Sequence, residues 1–216
     1  MVQWWRLTRN DYGRAVFDFF ADHGLKVARM YGYVADLDAD PPRDSTLEDS
    51  ALELRVGDAS AVEPDEHAAF GELLPEERVV VVVDTDAGAG TEPASRQTAR
   101  SFSAGPVVGY LFVSAGRPIY VHPLETELRF DGAYVRRVFV EPTHRQRGIA
   151  TALVAESRRV ARESFDASET HALIAPDNRP SQWVFEANGF RRVHEYDYAR
   201  IGGWTRRRER PLSPRE

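Results

Sequence analysis

Residues 133–154 read AYVRRVFVEPTHRQRGIATALV, and the fold prediction starts from them. The segment begins with an apolar, β-branched run, Tyr134–Val140, which predicts a strand that ends before Pro142. A polar loop follows, and from Ile149 onward the apolar residues recur with a helical period. A strand, a basic loop containing a glycine, and a helix are the arrangement that binds phosphate groups, because the first turn of a helix has unpaired N–H groups and a positive dipole end.

This loop differs from the two common nucleotide-binding loops. It is too short for a Walker motif and lacks the Gly-Lys-Ser/Thr ending of that motif. It also lacks the three glycines of a dinucleotide fingerprint. The segment therefore predicts a phosphate site of another kind.

Two motifs indicate which kind. Val140-Glu-Pro142 is followed by Arg145-Gln-Arg-Gly148-Ile-Ala150, and a second motif, NRPSQWVFEANGF, occupies residues 178–190. Together they resemble the GNAT family of CoA-dependent N-acetyltransferases, in which Arg/Gln-x-x-Gly-x-Gly/Ala follows a strand ending in Val-x-Pro. The second motif resembles the family's Asn-x-x-Ala-x-x-x-Tyr-x-x-x-Gly-Phe segment, one helix and one strand downstream. The resemblance covers residues 51–198 and is specific over 134–190.

The resemblance implies an α/β (α+β) protein with the GNAT acyl-CoA N-acyltransferase fold, a central mixed, mostly antiparallel sheet of six to seven strands flanked by helices. Residues 51–200 are assigned to this domain, 1–50 to an N-terminal helix–strand extension and linker, and 201–216 to a basic flexible tail. The family usually has a further strand near residue 204, but Gly202-Gly203-Trp204 and the tail lack a strand pattern. Either the sheet is one strand short, or residues 25–37 or the second subunit of a homodimer fill the gap.

Periodicity and composition predict the remaining elements. Strands are expected at residues 51–57, 78–84, 106–114, 134–140, 170–175 and 190–200, with an extended segment at 25–37. Helices are expected at residues 10–23, 62–74, 149–162 and 180–188, with Gly189 at positive φ after the last one. The small polar residues of 85–105 predict a loop, and 117–131 an insertion with a hairpin.

The resemblance also implies how CoA would bind. Its pyrophosphate would lie on the N–H groups of residues 146–151, where Gly148 and Ala150 must stay small. Its pantetheine arm would pair with the edge of the central strand. The two loop arginines either add positive charge or are solvated, and Asn178 either contacts CoA or caps a helix. The predicted CoA-binding residues are Val138, Phe139, Val140, Arg145, Gln146, Arg147, Gly148, Ile149, Ala150, Thr151, Asn178 and Phe185.

The acid and the base of the reaction do not transfer from the family. Phe185 stands where the family has its Tyr general acid and keeps only a packing role, and Leu173 stands where some members have Glu. Tyr134 occupies a position that often holds a base, and Glu141 ends the central strand. Tyr134 and Glu141 are therefore the predicted catalytic residues. Further carboxylate candidates in the insertion are Glu125, Glu127 and Asp131.

Whole-chain composition excludes several classes. With 216 residues and no cysteine, the chain has no disulfide, no thiol nucleophile and no Cys-ligated metal. A net charge of −6 argues against a protein built mainly to bind nucleic acid. There is no apolar run of about 18 residues and no basic-then-apolar leader. Since His144 and His171 also lack metal-ligand spacing, a cytoplasmic protein without metal, membrane or nucleic-acid partner is expected.

The sequence thus predicts an acetyl-CoA-dependent N-acetyltransferase, with acetyl-CoA as cosubstrate. Its acceptor is an amine on a small molecule or a protein. The alternative is a non-catalytic acyl-CoA-binding module, which Phe185 and Leu173 suggest. A third interpretation, nucleic-acid binding through Arg206–Arg210, is disfavoured because a basic terminal segment is usually solvated.

Overall fold

The computed structural model describes residues 25–42, 46–62, 67–88, 102 and 105–212. The helix predicted at 10–23 and most of the loop predicted at 85–105 lie outside these ranges. The strands are β1 Leu25–Asp36, β2 Leu52–Asp58, β3 Arg78–Asp84, β4 Val107–Ala115, β5 Ile119–Val121, β6 Thr126–Leu128, β7 Ala133–Val140, β8 Glu169–Ile174, β9 Arg191–Ile201 and β10 Trp204–Pro211. The α-helices are α1 Thr85–Gly88, α2 Ile149–Phe165 and α3 Arg179–Ala187.

Eight strands form one sheet in the order β10-β9-β1-β8-β7-β4-β3-β2. All neighbours are antiparallel except β7 and β8, which are parallel. Strands β5 and β6 pair separately, which confirms the hairpin predicted in the insertion. The mixed, mostly antiparallel sheet with flanking helices confirms the predicted fold class, although it has eight strands rather than six or seven. The predicted positions of β2, β3, β4, β7, β8, β9, α2 and α3 are confirmed within a few residues.

The core lies on both faces of the sheet. Residues 79–83 of β3 are all valines with no exposed surface. Val80 and Val82 pack with Leu153 beneath α2, whereas Val79, Val81 and Val83 pack with Phe70 and Phe112 on the opposite face. A strand covered on both faces reads as a continuous apolar run, and each buried valine side chain contributes about 1.5–3 kcal/mol relative to an exposed one. We call the face covered by α2 and α3 the helix face and the other the insertion face.

Residues 25–36 of the N-terminal extension complete the sheet. Strand β1 lies between β8 and β9, where Tyr31 is opposite Ile174 on one side and Glu195 on the other. This confirms the alternative in which residues 25–37 fill the gap. Tyr33 anchors the strand, because its ring is 1% exposed and its hydroxyl donates to Glu186 Oε1 at 3.1 Å. Burial raises the pKa of Tyr33, and Glu186 raises it further.

The prediction of a flexible tail from residue 201 is wrong for Trp204–Pro211. These residues form β10, which pairs with β9 along its whole length after a turn at Gly202. The strand was missed because it is exposed on both faces at the edge of the sheet, so it carries no alternation of apolar and polar residues. Ladder hydrogen bonds hold it, together with ion pairs from Arg210 to Glu195 and Asp197.

The helix predicted at 62–74 is also wrong over the described part of that segment. Residues 67–74 contain a single 3₁₀ turn, Phe70–Glu72. The segment is fixed instead by Glu77, a carboxylate with no exposed surface that pairs with Arg136 (Nε–Oε1 2.9 Å) and accepts from the Leu74 N–H at 2.9 Å. This long-range pairing cannot be inferred from helical periodicity.

Candidate functional site

The candidate site lies where β7 and β8 separate. Their parallel ladder joins only Ala133–Val135 to Thr170–Ala172. Beyond these pairs β7 continues to Val140 and β8 to Ile174 without pairing to each other. The two central strands therefore diverge, and β7 has a free edge along the resulting gap.

A β-bulge shapes this edge of β7. Arg137 has φ 59, and the pairing of β7 with β4 shifts register at this point. The Glu141 N–H donates to the Val108 carbonyl at 2.8 Å on the β4 side. Because polar main-chain groups alternate along a strand, those of Val138 and Val140 face the gap, whereas those of Phe139 face β4. Of the three β7 residues predicted to bind CoA, Val138 and Val140 therefore have main-chain groups that face the gap, and Phe139 does not.

The N-terminus of α2 lies beside the gap between β7 and β8. The first intrahelical bond runs from the Ala152 N–H to the Gly148 carbonyl at 3.0 Å, and no described residue accepts from the N–H groups of 148–151. Gly148 has φ 76, and a Cβ there would meet no atom within 4 Å. Gln146 also has a positive φ, 66, which is uncommon for a residue other than glycine. The arrangement offers four main-chain donors and a helix dipole to an anion.

The first three residues of α2 differ in how far they are buried. Ile149 is 1% exposed and packs in the core, whereas its N–H has no acceptor in the part of the chain that the structure describes. Ala150 and Thr151 are partly exposed. The requirement for small side chains at Gly148 and Ala150 remains a prediction.

Two side-chain pairs hold the loop before α2. Arg147 Nε donates to Asp49 Oδ2 at 3.1 Å, and this hydrogen bond lowers the pKa of Asp49. His144 Nε2 lies 3.1 Å from Asp84 Oδ2, and this contact lowers the pKa of Asp84. Both carboxylates come from outside the motif, one before β2 and one at the end of β3, and sequence analysis singled out neither. Nothing in the local sequence around Asp49 or Asp84 indicates these roles.

The two loop arginines have different surroundings. Arg145 is exposed and its Nε donates to the Val140 carbonyl at 3.3 Å, at the edge of the gap. No carboxylate of the described residues pairs with Arg145, whereas Arg147 is paired with Asp49. Arg145 is therefore the guanidinium that remains available to an anion.

The second motif begins with a capped helix. Asn178 Oδ1 accepts from the Ser181 N–H at 3.3 Å, which confirms the helix-cap role for Asn178. Phe185 is 3% exposed and packs edge to face against Phe190, with ring centroids 4.8 Å apart. Its contact with CoA remains a prediction, and its packing is that of a core residue. Gly189 has φ 82, as predicted.

The structure does not bring the two predicted catalytic residues together. Glu141 and Tyr134 lie at opposite ends of β7, roughly 20 Å apart for an extended strand. The Glu141 carboxylate has no partner among the described residues and lies at the start of the loop that precedes α2. Tyr134 is 8% exposed and stacks on Phe130, and burial raises its pKa to about 12. A phenol with a pKa this far above neutral keeps its proton, so Tyr134 does not serve as a base at neutral pH.

The carboxylates of the insertion have different environments. Glu125 binds Lys26 at 3.0 Å, Arg200 at 2.9 Å and the Tyr198 hydroxyl. Its pKa is lowered, first by the hydrogen bond from Tyr198 and then by Lys26. Glu125 therefore joins the insertion to β1 and β9 rather than serving as a base. Glu127 and Asp131 are exposed.

Within the described ranges, no helix is long and apolar enough to cross a membrane. In the same part of the chain, no group of three His, Asp or Glu side chains is placed to hold a metal ion.

Comparison with known families agrees with this geometry. The model of the acetyltransferase (GNAT) family matches residues 60–190, which include the gap, the open terminus of α2 and the second motif. The chain belongs to the GNAT acetyltransferase family. Comparison with curated proteins gives no match.

Solved structures share the GNAT fold with this chain at low sequence identity. A Drosophila protein has a TM-score of 0.52 at 14% identity, covering 87% of this chain and 56% of its own. A GCN5-related N-acetyltransferase from Sphaerobacter thermophilus has 0.51 at 16%, covering 93% and 57%. A tandem GNAT protein from the clavulanic acid biosynthesis pathway has 0.50 at 19%, covering 96% and 61%. This GNAT chain thus spans less than two thirds of the length of each.

Proposed function

We propose that this chain is an acetyl-CoA-dependent N-acetyltransferase that transfers the acetyl group to an amine. The observation that carries the proposal is the open N-terminus of α2 next to the unpaired edge of β7. The helix terminus suits a diphosphate, and the strand edge suits an extended chain with amide groups. CoA contains both at consecutive positions.

Each part of acetyl-CoA has a matching part of the chain. The N–H groups of residues 146–151 would bind the diphosphate, and Arg145 would add an unpaired positive charge. The main-chain groups of Val138 and Val140 would bind the pantetheine amides. Asn178 is exposed and caps α3 through its carbonyl oxygen, its side-chain NH₂ has no acceptor among the described residues, and its contact with CoA stays a prediction of at most a small contribution.

The reaction requires a neutral amine and a stabilised oxyanion next to the thioester. A main-chain N–H on the free edge of β7 would donate to the thioester oxygen. Tyr134 lies at the closed end of the gap and keeps its proton, so we assign it the role of donating to the CoA thiolate as it leaves. Glu141 lies at the opposite end, beside the diphosphate site, so its predicted catalytic role is less well supported by position.

A second candidate is an acyl-CoA-binding module without catalysis. It is favoured by Phe185, which lacks a hydroxyl and is buried in the core at the position of the family's Tyr acid. The two candidates share the CoA site and differ in turnover.

Two measurements test these candidates. Acetyl-CoA should raise the melting temperature under both candidates, because it binds the folded state. Release of free CoA thiol with a panel of amines then separates them. The chain has no cysteine, so a thiol-reactive dye detects only CoA. Stabilisation without thiol release would favour the module, and the absence of stabilisation would refute both.

A further inference from the structure

A cavity of about 400 Å³ lies on the insertion face where β1, β8 and β9 meet the loop before β7. Gly32 lines it, and a Cβ at this position would come within 3.0 Å of Tyr196 and 3.1 Å of His194, so the absence of a side chain lets these two residues pack against β1. A cavity of this size holds a small molecule. Its lining includes Phe130, Asp131, His171, His194 and Tyr196.

The cavity lies next to the closed end of the gap. His171, which lines it, is the ladder partner of Tyr134, one step below the last pair, Val135 and Ala172. One residue along a strand is about 3 Å, so His171 is close to the point where β7 and β8 diverge. Tyr134 is in turn opposite Ser114, whose buried hydroxyl has no partner among the described residues. Polar groups of three adjacent strands therefore form one row beside the gap.

The hydrogen bond of His171 defines its free nitrogen. Its Nε2 lies 3.0 Å from the Asp131 carbonyl oxygen, which can only accept. In the neutral imidazole Nε2 must then carry the hydrogen, and Nδ1 is left with a lone pair. The His171 ring packs against Phe130, with 5.1 Å between the ring centroids, and the His171 side chain is 12% exposed. His171 is thus an oriented, partly accessible proton acceptor.

The charges around the cavity indicate what it binds. Arg129 and Arg191 line it, are exposed, and form no ion pair with any described residue. The Asp131 carboxylate likewise has no partner in that part of the chain, and Glu169 lies 3.7 Å from His171. Free guanidinium groups attract an anion, whereas the carboxylates attract an ammonium group. A ligand with both charges satisfies both sets.

We propose that this cavity binds the acetyl acceptor, a small primary amine that also carries an anionic group, and that His171 Nδ1 takes the proton of its ammonium group. This inference rests on the proposed acetyl transfer. It adds a base, which the family resemblance did not supply, and an acceptor class.

The step balances as follows. The ammonium group gives one proton to His171 Nδ1, and the neutral nitrogen attacks the thioester carbonyl. A C–N bond forms and the C–S bond breaks, so the electron pair leaves with the CoA sulfur. The second proton lost from nitrogen ends on that sulfur, through the Tyr134 hydroxyl. His171 then releases its proton to solvent, and the products are the N-acetyl compound and CoA thiol.

Several ionisable groups line the cavity or lie opposite His171 in the sheet. They are Tyr134 from β7, Glu169 on its own strand, Arg129 and Asp131 from the loop, Arg191 and His194 from β9, and Glu209 from β10. The side chain on the neighbouring β1, Val34, carries no charge. A base in this position must be neutral, so the rate should fall on acidification through about pH 5 to 8, where imidazoles take up a proton.

The test is the pH dependence of kcat/KM for His171→Gln, in which the amide can still donate to the Asp131 carbonyl. We expect a loss of about 100-fold or more at neutral pH and disappearance of the acidic limb. The control is His122→Gln, the same change at an exposed histidine in the hairpin turn, which should keep both the rate and the limb. A wild-type rate and limb in His171→Gln would overturn the role of His171.

The acceptor class is tested with 4-aminobutyrate, butylamine and 1,4-diaminobutane, which differ only at the far end. We expect the highest kcat/KM for 4-aminobutyrate, and Arg191→Gln should raise KM for this compound but not for butylamine. This second variant changes an exposed residue, so it reports on the cavity even if His171→Gln fails to fold. Butylamine or diaminobutane as the better substrate, or turnover confined to larger amines, would overturn the class.

These outcomes separate the inference from the proposed function. Thiol release by the wild type together with an unaltered His171→Gln refutes the inference alone. No thiol release with any amine, despite stabilisation by acetyl-CoA, refutes the transferase function and the inference with it.

Discussion

The N-termini of α2 and α3 lie in the two motifs of the sequence but differ in how their N–H groups are satisfied. Helix α3 is capped by Asn178, whose side chain accepts from the Ser181 N–H. Helix α2 has Gly148 at the same position, which has no side chain, and the first N–H groups of the helix have no partner among the described residues. One terminus is closed by its own sequence, and the other is left for a ligand.

The difference has a structural consequence for the loop before α2. A helix without a cap loses about 1 kcal/mol of stabilisation. Here the loop is fixed by the contacts of Arg147 with Asp49 and of His144 with Asp84. Neither contact uses the open N–H groups of α2. An anion site of this kind combines free donors with a loop that is held from elsewhere, which keeps the donors in position before the ligand arrives.

The largest effect on acetyl-CoA binding is expected from a substitution at Gly148. We expect Gly148→Asp to weaken acetyl-CoA binding by about 100-fold or more, because a carboxylate would lie against the diphosphate. The matched control is Gly116→Asp, at a turn glycine with φ 73 that also has open space around its Cβ position. The measurement is the acetyl-CoA-induced shift of melting temperature, and equal shifts in the two variants would contradict the assignment.

The two loop arginines provide a smaller effect. Arg145→Gln should weaken acetyl-CoA binding about five- to tenfold and reduce its dependence on salt, because an unpaired guanidinium is lost. Arg147→Gln should change affinity less and lower thermal stability instead, since it removes the tie to Asp49. Calorimetric titration at two salt concentrations distinguishes them, and a larger loss of affinity for Arg147→Gln would reverse the assignment.

The capped terminus should behave in the opposite way to Gly148. Asn178→Ala is expected to cost about 1 kcal/mol, a melting-temperature decrease of about 2–4 °C, while acetyl-CoA binding stays within about threefold. Asn178→Asp retains the cap and is the control. Normal stability with a large loss of affinity would show instead that Asn178 acts mainly on CoA.

The smallest effect concerns how the His144–Asp84 contact stabilises the fold at acidic pH. The pKa of Asp84 is lowered by His144, so the stability this carboxylate contributes is present above its ordinary pKa of about 4. It is lost as pH falls through the lower folded-state pKa. His144→Ala should therefore be less stable than wild type at pH 5, with the difference diminishing below about pH 4. Urea unfolding at both pH values measures this, and a difference that grows on acidification would contradict it.

The parts of the site that were predicted from sequence are local ones. The strand, the loop and the start of α2 follow from periodicity and from one glycine, because main-chain donors depend on φ and on helix position rather than on distant partners. The same holds for Gly189 after α3. The charge environments could not be predicted: the loop arginines look alike in sequence, and Asp49 makes one of them unavailable only after folding.

The cavity beside His171 could not be predicted for a related reason. Its walls come from β1, β8 and β9, and sequence analysis left open whether residues 25–37 entered the sheet. The edge strand β10, which contributes Glu209 to the lining, has no buried face and therefore no apolar pattern. Strand order is a property of the whole chain, and sites built across strands depend on it.

The position of β1 also affects the order in which the protein can fold. Both of its neighbours, β8 and β9, are synthesised late, so residues 25–36 leave the ribosome long before either partner exists. Pairings between such distant segments form slowly, and a strand with two unpaired edges invites association with other chains. We expect the half of the sheet from β2 to β7 to assemble first, and nascent chains to rely on chaperones until β1 is enclosed.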